Sequence, residues 1–100
     1  MFKGTTPTHI FNVGFDTSLI KEVKITYSQR DKEILVKRTE DCEIFQSKIT
    51  TRLSQEDTFL FESNTITTIQ VRILTTGGDA LISELIMVSV GKCLDDEVLV

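Results

Sequence analysis

Apolar and polar side chains alternate along most of this chain with a period of two, the spacing of strands that have one covered face and one wet face. The clearest case is "SLIKEVKITYSQ" at 18–29, which sets Leu19, Val23, Ile25 and Tyr27 against Glu22, Lys24, Thr26 and Ser28. "TITTIQVRIL" at 65–74 repeats it, with Ile69, Val71 and Ile73 on one side and Gln70 and Arg72 on the other. Shorter alternating segments are "HIFNVGF" at 9–15, with Phe11, Val13 and Phe15 on one face, then "EILVKR", "CEIF" and "SKITTRL", the last pointing Ile49 and Leu53 inward. "RDK" at 30–32 and "TTGGDA" at 75–80 are turn signals; adjacent glycines accept the positive φ angles of tight hairpins at no steric cost.

Two stretches break the rhythm. In "LSQEDTFLF" at 53–61, Ser54 caps one helical turn and Asp57, three residues on, accepts back from the cap's own N–H, bringing Phe59 or Phe61 into the core. The last strand, "LISELIMVSV" at 81–90, is apolar on both faces over Leu85–Val88, which predicts a central position or a covered outer face. About seven strands with turn signals every eight to twelve residues predict an all-β protein, an immunoglobulin-like β-sandwich with a short helical turn near residues 54–58. A small barrel and an α+β arrangement are the alternatives. The expected organisation is an extended, mobile arm at 1–7 containing Pro7, a sandwich at 8–91, and an acidic tail at 92–100.

Composition sharpens the fold class. Thr, Ile and Val make up a third of the 100 residues while Ala occurs once, and β-branched side chains favour the pleated sheet over the helix. Charge bears on partners. The net charge is −4, and residues 53–100 hold two basic against eight acidic groups, so the chain lacks the broad basic field that a nucleic acid or an anionic membrane selects. No apolar run reaches membrane-span length and "MFKGTTPTH" has no signal-peptide core, so synthesis and retention in a cytoplasm is the expectation. Cys42 and Cys93 are then expected as free thiols rather than one disulfide.

Candidate chemistry is sparse. His9 is the only histidine, with no nucleophile or orienting group gathered by the sequence, and is expected at a strand end, exposed or half-buried. Asp95, Asp96 and Glu97 alternate in direction along an extended chain and converge poorly on a cation, which leaves a solvated charge run. "TTGGDA" lacks the lysine and the strand-to-helix context of a phosphate loop. Arg72 faces outward and is expected to pair across the strand with an acid such as Glu84. No catalytic residue, cofactor, metal or small-molecule substrate is expected.

Five stretches together, "GTTPTHIF" at 4–11, "DTSLIKEVKITYSQ" at 16–29, "LSQEDTFLF" at 53–61, "IQVRILTTGGDAL" at 69–81 and "GKCLDDEVL" at 91–99, resemble short uncharacterised proteins of phages and prophages of Gram-positive bacteria. The strand rhythm is more loosely similar to the immunoglobulin-like N-terminal domains of phage baseplate proteins. This resemblance implies a virion-associated or assembly-associated β-domain, made in the host cytoplasm and then carried in the particle. It would act by docking to other phage structural proteins or to itself. A soluble phage-encoded module that binds a host protein is the alternative. The segments expected to make contact are the arm Phe2–Thr8 and the tail residues Leu94, Val98, Leu99 and Val100, because flexible termini and unpaired strand margins are efficient attachment devices.

Overall fold

The two longest alternating stretches form the centre of the molecule. In the computed structural model, which describes all residues Met1–Val100, β2 (Ile20–Gln29) and β6 (Ile66–Thr75) pair antiparallel. Val23 stands opposite Ile73, Ile25 opposite Val71 and Tyr27 opposite Ile69, so all six share the covered face. β3 (Lys32–Arg38) joins β2 through a two-residue turn, Arg30–Asp31, whose φ angles of 51° and 60° are both positive. β7 (Ala80–Ile82) and β8 (Ile86–Ser89) occupy the other side of β6, one after the other. A second sheet has the order β1 (Thr8–Asn12), β5 (Lys48–Arg52), β4 (Cys42–Phe45).

The two antiparallel sheets face each other as a sandwich, and their strand orders are those of an immunoglobulin-like domain. β1, β5 and β4 stand where the B, E and D strands stand, and β3, β2, β6 and the β7–β8 pair where C′, C, F and a split G stand. The helical turn α1 (Gln55–Phe59) links E to F. As its sequence predicts, Ser54 Oγ accepts from Asp57 N while an Asp57 carboxylate oxygen accepts from Ser54 N. No Trp or disulfide pins the sheets as in antibody domains. Tyr27 and Phe61 fill the centre instead, with rings edge-on at 5.9 Å, and Ile25, Ile49 and Leu53 are completely buried around them.

Both two-residue hairpin loops adopt positive φ without glycine: Arg30–Asp31, and Gln46–Ser47 at 47° and 65°. Such mirror-type turns match the right-handed strand twist but favour Asn then Gly. The double variant Arg30→Asn, Asp31→Gly is therefore expected to stabilise the domain by about 1 kcal/mol, or ~4–8 °C in a thermal melt. The only contact it removes is an exposed Arg30–Glu62 ion pair at 3.4 Å, which contributes little. An unchanged or lower melting temperature would show that the loop carries no backbone strain.

Three expectations need correction. The last apolar stretch is neither central nor covered; it is broken in two and lies on the sheet margin. The break has a local cause: Ser83 Oγ takes the Val71 N–H at 2.9 Å while Ser83 N donates to Val71 O, so a side chain replaces a strand backbone at that rung. Leu19 does not share the face of Val23; it belongs to a 3₁₀ turn, Thr17–Leu19, and is exposed, because the β2–β6 register shifts between Ile20 and Glu22 and turns Ile20 inward instead. The N-terminal arm is not a free extension. Gly91 N donates to Met1 O at 2.7 Å, Lys3 N donates to Gly91 O, and Gly4 N donates to Thr58 Oγ1, with Phe2 and Gly91 paired as a parallel bridge.

Candidate interaction surface

His9 lies on β1 and Tyr27 on β2, in opposite sheets, and His9 Nδ1 meets the Tyr27 hydroxyl at 2.7 Å. Burial lowers the His9 pKa, helped by the N-terminal ammonium, and burial raises that of Tyr27 far above its ordinary value, with negative charge at Cys42 and Asp57 adding to it. At neutral pH both groups are therefore uncharged, and the hydrogen bond between them ties the sheets together. The neutral ring's contribution is complete above the unfolded-state value of 6.5 and is lost progressively as pH falls below it. The urea midpoint is expected to drop between pH 7.5 and pH 5 and to drop less in His9→Gln; equal drops would remove the histidine from the account. Asp57 does not confuse the reading, because its folded pKa is also lowered and its loss begins only near 3.8.

The residues expected to make contact fall into two situations. The Phe2 ring covers Gly91, where a Cβ would lie 2.3 Å from it, yet 62% of Phe2 remains exposed. The tail runs beside the arm and α1: Val98 is half-buried near Lys3, Glu56 and Phe59, and the Gln55 amide grips the Leu99 backbone with two hydrogen bonds of 2.8 Å. Leu94, Leu99 and Val100 project into solvent. Asp95 Oδ1 accepts from Glu97 N, which uses one of the three tail acids locally. Cys42 and Cys93 are both free thiols. The "TTGGDA" segment turns β6 into β7, with Gly78 at φ 88°.

What the structure brings together lies on the outer face of the five-stranded sheet. Lys24 stands opposite Arg38 on one side and opposite Arg72 on the other, and Arg72 stands opposite Ile82. Arg72 therefore has a lysine and an isoleucine as neighbours, not Glu84. One row across four strands reads Arg38, Lys24, Arg72, Ile82. Like charges directly opposite one another destabilise a sheet, and none of these three cations takes part in an ion pair. The row crosses a depression of about 400 Å³ that Glu22, Glu40, Leu74 and Ala80 also line. Beside it runs the β7–β8 margin, where Ile82 and Met87 share the face of the row, Met87 exposed to 71%, and Leu81, Leu85 and Ile86 are exposed along the edge. An unpaired sheet edge flanked by apolar side chains is an open site for a further strand.

The outward direction of Lys24 and Arg72 is readable from alternation, but their adjacency is not. It depends on the antiparallel register of β2 with β3 and β6, which no local pattern specifies. The exposed margin was legible as a doubly apolar run, but its position in the sheet was not. No helix is long and apolar enough to cross a membrane. No protein-family model, no curated protein and no solved structure matches this chain.

Proposed function

We propose that this protein is a non-enzymatic docking domain that uses the outer face of the β3-β2-β6 sheet and the β7–β8 margin to hold another protein. The observation that carries the reading is the unneutralised cation row beside exposed apolar side chains. Such an arrangement lowers the stability of the isolated domain and is relieved by an acidic, partly apolar partner. Three cations flanked by Glu22 and Glu40 on a chain of net charge −4 suit a protein better than a phosphate backbone. The resemblance to short phage proteins supports a place in the virion or its assembly. Mass spectrometry of purified particles tests that placement: peptides of this chain at a fixed ratio to the structural proteins are the expected result. Its absence from particles but presence in infected cells would favour a module directed at a host protein.

A further inference from the structure

A face-to-face two-fold pair of copies centred on the row would oppose Arg38, Lys24 and Arg72 to one another. An acidic occupant avoids that repulsion. The same chain ends in a segment with that property: Asp95, Asp96 and Glu97 followed by Val98, Leu99 and Val100. An extended tail turns Asp95, Glu97 and Leu99 to one side, two acids then an apolar side chain, to set against Lys24, Arg72 and then Ile82 on the sheet. Their lengths are compatible. Two strand-to-strand steps span ~10 Å and four steps of extended chain span ~13 Å, a gap that lysine and arginine side chains bridge.

We infer that the row and the apolar margin beside it receive the acidic C-terminal tail of a second copy of this chain, an inference that rests on the outer face being the docking surface. Within one molecule the tail's neighbours are Lys3, Gln55, Glu56 and Phe59, on the arm and α1, so row and tail occupy different parts of the surface. The contact is heterologous: each copy offers one row and one tail, which builds open chains or a closed ring rather than an isolated two-fold dimer. The tail is held in place by two hydrogen bonds from the exposed Gln55 amide, a grip that a second copy's sheet can replace. Charge attraction on this scale weakens as salt rises.

Sedimentation velocity on the purified full-length protein tests the inference, over a concentration series reaching ~1 mM at low and at high salt. The expected result is concentration-dependent association that weakens with salt and falls at least ~tenfold in either of two variants. One is the face variant Lys24→Glu, Arg72→Glu; the other is the tail variant Asp95→Asn, Asp96→Asn, Glu97→Gln. Circular dichroism confirms that both remain folded. Mixing the two is expected to give a one-to-one dimer and nothing larger, because only one intact row and one intact tail then remain. A strict monomer at every concentration, association that survives both variants, or a mixture that stays monomeric would each overturn the inference. None of these results would decide whether the face docks a different virion protein, which the particle composition tests separately.

Discussion

Replacing Phe61 with alanine is expected to cost about 3–5 kcal/mol, roughly a fifth or more of the ~5–15 kcal/mol that stabilises a domain of this size. Phe61 is 1% exposed, and its ring meets the edge of Tyr27, itself completely buried. Truncation loses the transfer energy of the ring and leaves a cavity that two hydrogen-bonded sheets cannot collapse to fill. The matched control is Phe59→Ala, two residues away. Phe59 is only half-buried, its ring tip facing Gly4, where a Cβ would lie 3.1 Å from it. About 1–2 kcal/mol is expected there. Urea unfolding of both variants measures the difference, and a Phe59 cost equal to that of Phe61 would mean that the centre of the core lies elsewhere.

That pair of phenylalanines shows where the sequence stops being sufficient. The capping box fixes a helical turn after Ser54, and its length leaves either phenylalanine able to turn inward; which one does depends on where β6 begins. The same division runs through the molecule. Strands β2 and β6 are legible because each buries every second residue on one face, which repeats the same signal over ten residues. The split of the last strand is not legible, because it turns on one serine hydroxyl, Ser83, reaching Val71 N. The turns Arg30–Asp31 and Gln46–Ser47 carry no glycine and so announce themselves weakly. The cation row is a product of three separate strands, so only the register could reveal it.

Asp57→Ala is expected to cost about 2–4 kcal/mol, far more than a surface carboxylate, because one carboxylate oxygen serves two partners. Asp57 Oδ2 accepts from Ser54 N at 2.9 Å, closing the capping box, and from Lys37 Nζ at 2.8 Å, tying α1 to β3. Lys37 stands opposite Ile25 on β2 and so points into the sandwich, its side chain only 14% exposed. Burial opposes the charge on Asp57, but the Lys37 and Ser54 hydrogen bonds outweigh it and hold the carboxyl below its ordinary value of 3.8. This stabilisation is therefore complete above that value and disappears as pH falls through the lower folded one. Removing the acid strands a half-buried ammonium; removing both removes the penalty with it. Lys37→Met combined with Asp57→Ala is accordingly expected to be about 1–2 kcal/mol more stable than the sum of the single changes predicts. If the two changes instead add to within ~0.5 kcal/mol in urea unfolding, the ion pair contributes nothing and the cap alone accounts for the cost of losing Asp57.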